Sequence, residues 1–290
     1  MPLPVLLVSL VLFSVWAPAP AQDYERPEQG KAWWWDTDWW ETGQLDRPEN
    51  HPVRTEWVEY TNDDVTVPTL VARPDDAKAY PGVLFQHGRR GLDELVQGHA
   101  RRLAARGFTV VAPDGFSARF IERFPIRHDP ATESDVDAGV DYVLSRPDVS
   151  GEQICLYSHT RGGYYTLRVA VTFERQANEV ACYVSYYPHM QNPNAPEPMQ
   201  VYRYAPEADR MRIPTLIFIG EDEQYQRKRG IEMAVASMQD KGYPVRLVTY
   251  PGVGRGFDFR PRSVRSFADD LASKDALQRA ARFMRRHVGE

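Results

Sequence analysis

From residue 81 to residue 287 the chain alternates between short apolar runs and segments whose apolar residues recur every three or four positions. The runs are P-G-V-L-F-Q-H-G (81–88), F-T-V-V-A-P-D (108–114), Q-I-C-L-Y (153–157), V-A-C-Y-V-S-Y-Y (180–187), I-P-T-L-I-F-I-G (213–220) and V-R-L-V-T-Y (245–250). They are rich in β-branched and aromatic residues, as strands buried on both faces are. Between them, Leu92, Leu95, His99, Leu103 and Ala104 fall on one helical face, as do Val136, Val140, Val143 and Leu144, and then Leu167, Ala170 and Val171. Further helices are predicted over 225–241 and 264–287. A helix between two strands lets them pair only in parallel. The order therefore predicts an α/β domain, a mostly parallel central sheet with helices on both faces. T-E-W-V-E-Y (55–60) and V-T-V-P-T-L-V-A (65–72), split by N-D-D, predict an antiparallel pair at one edge.

No linker interrupts residues 53–290, which read as one domain. At 42% apolar residues the chain supports a sizeable core, and its net charge of −5 with no dense basic run argues against nucleic-acid binding. No period of 20–50 residues repeats, which argues against a solenoid or propeller. Residues 1–21 are expected to be a secretory signal. An uncharged apolar run, V-L-L-V-S-L-V-L-F-S-V-W (5–16), precedes the small residues A-P-A, with cleavage expected after Ala21. The run is short for a membrane span. The mature chain is thus expected to be secreted or periplasmic, without a membrane span. Residues 22–52 form a Trp-rich arm, W-W-W-D-T-D-W-W at 33–40, with no helix or strand period; packing of its indoles on the domain body is favoured over a lid. Cys155 and Cys182 fall in neighbouring predicted strands, where pairing geometry is usually poor, and two buried free thiols are expected.

Ligands of such sheets bind beyond the carboxyl ends of the strands, so the informative segments follow them. The stretch Y-S-H-T-R-G-G (157–163) carries the signature of a nucleophile elbow, whose neighbours two residues either side of the tip must be small. With Thr160 at the tip those neighbours are Ser158 and Gly162; with Ser158 they are the bulkier Leu156 and Thr160. The spacing selects Thr160.

S-H-T-R-G-G resembles the G-x-[SC]-x-G-G elbow of the dienelactone hydrolase family, within the α/β-hydrolase superfamily. The resemblance extends through L-F-Q-H-G-R-R-G-L, A-R-R-L-A-A-R-G-F-T-V-V-A-P-D, P-T-L-I-F-I-G-E-D-E and Y-P-G-V-G-R-G-F-D, in order, across most of residues 80–287. It implies an α/β-hydrolase fold, hydrolysis of esters or lactones, no cofactor, and a triad at matching positions. Those positions hold Thr160 for the nucleophile, Glu223 (with Asp222 beside it) for the acid, and Arg255 for the histidine. A guanidinium has no acceptor lone pair and stays protonated at neutral pH, so it cannot act as the general base. The resemblance also implies an oxyanion nest at Gly88, Arg89 and the backbone of Arg161.

Among the loop histidines, His189 is the best substitute base, with His128, His159 and His87 read as packing or structural residues. Arg255 has two readings: an ion pair with Glu223 or Asp222, or a fixed charge that, with Arg89, Arg90 and Arg161, suits an anionic small-molecule ligand. Arg89, Arg90 and Arg161 are otherwise read as solvated. Tyr164, Tyr165, Tyr186, Tyr187 and Tyr225 are expected to be half-buried packing rather than a ring-binding pocket. No metal-ligand spacing, phosphate-binding glycine loop or dinucleotide fingerprint is present.

Overall fold

A computed structural model of the chain describes residues 31–33 and 49–289. The expected leader and most of the Trp-rich arm lie outside these residues. The strands are β1 (Lys31–Trp33), β2 (Val53–Asn62), β3 (Val65–Pro74), β4 (Tyr80–Gln86), β5 (Thr109–Pro113), β6 (Val149–His159), β7 (Val180–Tyr186), β8 (Thr215–Asp222) and β9 (Val245–Gly254). The helices are α1 (Glu94–Ala104), α2 (Gly115–Ala118), α3 (Ala131–Ser145), α4 (Gly162–Val171), α5 (Glu197–Tyr202), α6 (Tyr225–Asp240) and α7 (Phe267–Val288).

The strands form one sheet in the order β1-β9-β8-β7-β6-β4-β5-β3-β2. All neighbours are parallel except β5–β3 and β3–β2, so the expected antiparallel pair stands at one edge. The strand over Lys31–Trp33 differs from the expectation of an arm without strands. It pairs with β9 at Leu247–Thr249, taking up backbone groups that an edge strand leaves open. From Glu49 the arm meets the body: His51 N donates to Ala105 O at 2.9 Å and Arg106 Nη1 donates to Glu49 O at 2.7 Å.

Adjacent residues of a strand point to opposite faces, and β6 shows which helices cover which side. Tyr157 meets His99 of α1, whereas Ser158 meets Thr166 of α4. Arg168 of α4 pairs with Glu133 of α3, placing α3 beside α4. Arg285 of α7 donates to Arg106 O just beyond α1, placing α7 on α1's side. The central strands are accordingly buried almost throughout, with Val83, Leu84, Phe85, Leu156, Val184 and Ile217 fully enclosed.

The two cysteines correct the sequence expectation. Cys155 and Cys182 are register partners across β6 and β7 with Cα atoms 4.7 Å apart, and they form a disulfide. That separation lies inside the bridging range; the strands stand directly opposite here rather than offset. The bridge sits five residues before the elbow tip and ties together the two strands that deliver Thr160 and Tyr187.

Candidate functional site

Strand order reverses between β4 and β6: the chain grows outward through β5 on one side and through β7, β8 and β9 on the other. That switch point opens a crevice at the carboxyl ends. His87–Gly91 follow β4, Thr160 follows β6, Tyr187–His189 follow β7, Glu223 follows β8 and Arg255 follows β9.

The elbow is built as its glycines predict. A Cβ on Gly162 would lie 2.4 Å from Gln86 O, and one on Gly163 would lie 2.4 Å from Pro188 Cβ, so only hydrogen lets α4 start this close to β4 and β7. Thr160 has φ +51°, a costly backbone for a β-branched residue, of order 1–3 kcal/mol. Its N–H donates to Tyr186 O at 3.0 Å, and its carbonyl accepts from His189 N at 2.8 Å and Gly163 N at 3.1 Å. The side chain packs on the oxyanion loop: a Cβ on Gly88 would fall 1.6 Å from Thr160 Oγ1.

Glu223 and Arg255 form the ion pair that one reading anticipated. Arg255 Nη1 donates to Glu223 Oε1 at 2.9 Å, and the carboxylate also accepts from Gln224 N at 2.8 Å. The Glu223 side chain is wholly buried, and the Arg255 guanidinium lies over the Tyr187 ring at 5.2 Å. Asp222, the alternative acid, is exposed at the end of β8 and is not brought to the cleft.

Arg161, Arg89 and Arg90 are not simply solvated. Arg161 is buried and donates to the carbonyls of Pro125, Ile126 and Arg127. Arg89 donates to Phe124 O and Pro125 O, so the two hold the 124–127 loop by its backbone. Arg90 grips Asp93, which caps α1.

A cleft of about 450 Å³ is lined by Thr160, His189, Tyr187 and the arginines Arg89, Arg90, Arg227, Arg255 and Arg260, with Phe124, Phe259, Pro261 and Val264 among its apolar walls. His189 is buried there, and its Nδ1 has no protein partner. Burial, then the nearby Arg255, Arg227, Arg161 and Arg89, hold its imidazole well below the ordinary histidine range. It is neutral at pH 7 but a poor proton acceptor, since a general base works best with a pKa near the working pH.

The other histidines are structural, as expected. His128 pairs with Glu133 at 2.7 Å under Tyr165, and His87 Nδ1 bonds Gly88 O at 2.8 Å. Tyr164, Tyr165 and Tyr186 are buried packing, Tyr187 is buried at the cleft wall, and Tyr225 is exposed.

Sequence reasoning missed Asp258. Its Oδ2 accepts from His159 Nε2 at 2.8 Å and faces His99 Nδ1 at 3.0 Å, while its Oδ1 accepts the Tyr187 hydroxyl. An acid between two phenylalanines, F-D-F, and a histidine on an apolar helix face were the available signals. Donor atoms of His99, His159 and Asp258 lie within 4.8 Å of one another, the one such group among the described residues. Three donors already meet this carboxylate, and His99 Nε2 is met by the Tyr157 hydroxyl at 2.6 Å, so the cluster reads as a hydrogen-bond network in which His159 Nδ1 is left without a partner.

Among known proteins, the chain is 30% identical over 136 residues to a chlorophyllase type 0 of Chenopodium album; the match spans 43% of this chain and 37% of that relative. The chain thus matches little more than a third of the curated relative's length. An esterase of Pyrobaculum calidifontis superposes with a TM-score of 0.62 at 21% identity, over 82% of this chain and 88% of that one. A dienelactone hydrolase-like promiscuous phosphotriesterase from metagenomic libraries also gives 0.62, at 16% identity, over 82% of this chain and 99% of that one. At these identities the structures establish the α/β-hydrolase fold. The family model for dienelactone hydrolases matches residues 67–288, which takes in Gly88, Thr160, Glu223 and Arg255. This chain belongs to the dienelactone hydrolase family.

Proposed function

We propose that this chain is an exported member of the family whose cleft binds a small anionic molecule, an ester, a lactone or a related acid. In this reading the usual Ser/Cys-His-Asp hydrolysis is lost or altered. The observation that carries it is the Arg255–Glu223 pair, at the positions the resemblance aligns with the family's imidazole and acid, in a cleft lined by arginines. Arg255 cannot accept a proton, and the carboxylate that would orient an imidazole is engaged in neutralising it. The same guanidiniums that depress His189 favour a negative ligand.

Hydrolysis of a panel of activated esters and lactones tests this, with the mature wild-type protein beside Thr160→Ala. The expected result is equal rates at background. A wild-type rate that collapses in Thr160→Ala would overturn the reading.

One observation favours a second reading, an active carboxylic-ester or lactone hydrolase using Thr160 with His189 as base. His189 shares the cleft with Thr160, is neutral, and has a free Nδ1. That reading requires His189→Ala to lower kcat by at least about 10²-fold, the scale of general-base catalysis.

A further inference from the structure

We propose that the ligand of this cleft is a small phosphomonoester, with a doubly charged phosphoryl head against the arginines and an apolar substituent over Phe124 and Val264. The inference rests on the reading of the cleft as an anion site and specifies its charge and its shape.

The charge follows from the ion pairs. Five arginines line the cleft, and Arg161 lies beside Thr160 behind the 124–127 loop. Three of these six have a carboxylate: Arg90 with Asp93 at 2.6 Å, Arg255 with Glu223 at 2.9 Å, and Arg260 with Asp269 at 3.1 Å. The other three meet only neutral oxygens. Arg89 and Arg161 bond backbone carbonyls, and Arg227 Nη1 donates to the amide oxygens of Gln191 and Gln200, each at 3.2 Å. Six cations less three carboxylates leave three positive charges at one crevice, partly withdrawn from water.

The strain of that arrangement appears in Arg227. Burial pushes it down to about 10, and Arg255, Arg161 and Arg89 add to the effect, with Glu223 opposing. Burial, with Arg89 nearby, also brings Arg161 to about 10. Mutually repelling, partly desolvated guanidiniums are stable neighbours when an anion sits between them. A monoanion would leave two charges unmatched; a dianion removes most of the excess. Arg255 Nη2 and His189 Nδ1 are buried without protein partners at this cleft. A phosphoryl group has enough oxygens on one atom to meet donors converging from the β4, β8 and β9 loops, and arginine forks match its geometry.

The shape follows from the apolar walls. Phe124 is 55% exposed and Val264 62% exposed, yet both line the cleft with Phe259 and Pro261. Phe124 is fixed there by Arg89, which takes its carbonyl, and by its own N–H, which donates to Arg89 O at 2.6 Å. A volume of about 450 Å³ holds a phosphoryl head and a ring or short chain, at the small end of ligand sites and too small for a diacyl lipid.

Isothermal titration at about pH 7.5, where a phosphomonoester is mostly doubly charged, separates the possibilities with four probes. They are phenyl phosphate, phenyl sulfate of the same shape but one charge, inorganic phosphate without the ring, and benzoate. Phenyl phosphate is expected to bind at least about tenfold more tightly than phenyl sulfate, because an added charge-assisted contact is worth that much. It is expected to exceed inorganic phosphate by a similar factor through ring burial. Arg227→Gln should cut the phosphate-over-sulfate preference to below about threefold. Phe124→Ser, at a residue 55% exposed, should lower phenyl phosphate binding towards that of inorganic phosphate. Equal binding of phenyl phosphate and phenyl sulfate, or of phenyl phosphate and inorganic phosphate, overturns this inference. If benzoate and phenyl sulfate bind as well as phenyl phosphate, the anion-site reading stands while this inference falls. If none of the four binds, the anion-site reading falls with it.

Discussion

Replacing Gly88 with alanine tests the contact that orients the Thr160 hydroxyl. A Cβ at this position would lie 1.6 Å from Thr160 Oγ1, 2.9 Å from His159 O and 3.0 Å from Thr160 Cβ. Gly88 is not among the glycines with positive φ, so alanine suits its backbone, and reduced freedom of the unfolded chain returns ~0.4–1 kcal/mol. Overpacking costs ~1–3 kcal/mol, so a net loss of about 1–2 kcal/mol is expected. Thr160 is β-branched and its backbone is held by hydrogen bonds with Tyr186, His189 and Gly163, so it has little freedom to rotate away. Removing its hydroxyl in Gly88→Ala/Thr160→Ala deletes the 1.6 Å contact and leaves the 2.9 Å approach to the His159 carbonyl, which a small shift of the loop must still relieve. The double variant should therefore be more stable than the two single losses sum to, by about 1 kcal/mol or more. Urea unfolding of the wild type, both single variants and the double variant gives this coupling directly. Additivity within about 0.5 kcal/mol would refute the reasoning, because the hydroxyl would then not be packed on the oxyanion loop.

Acid should destabilise the fold well above the carboxylate range. Burial brings His99 to about 3 and holds His189 well below the ordinary value, so both stay neutral when folded while the unfolded chain protonates them below about pH 6.5. Their contribution is thus fully present above that pH and is lost as pH falls, by roughly 1.4 kcal/mol per pH unit for each. Urea midpoints that do not differ between pH 7 and pH 5.5 would contradict this. Asp258, held well below its usual range by His159 and His99 against its burial, acts in the same direction in a lower window, from about pH 4 downward. Glu223→Gln should cost about 2–4 kcal/mol, because it strands Arg255 beside Arg227 without its buried carboxylate; a loss under about 1 kcal/mol by urea unfolding would show that other groups balance the guanidinium.

The sequence by itself determined the α/β order, the parallel sheet with its antiparallel edge, the strand-to-helix turn at Thr160 and the placing of Glu223 and Arg255 just beyond their strands. Each of these is local, or fixed by spacing along one segment: a strand period, a pair of small residues around a turn, a charged residue a set distance after a strand end. The tertiary structure decided what depends on register and on side chains meeting across the sheet. Cys155 and Cys182 are 27 residues apart, and only the alignment of β6 with β7 sets them opposite one another. Asp258 acquires its role only when β9's loop folds back over His159 and His99, residues 99 and 159 positions before it in the chain. Arg161 adjoins the elbow tip in sequence, yet burial turns its guanidinium onto the carbonyls of the 125–127 loop. Arg227 had no motif to mark it, because it follows the acid on the first turn of α6 and reaches the cleft only through the packing of that helix. The cleft's arginines likewise come from four loops and helix ends, so no single stretch of sequence carries them; they meet only where the fold brings those side chains together.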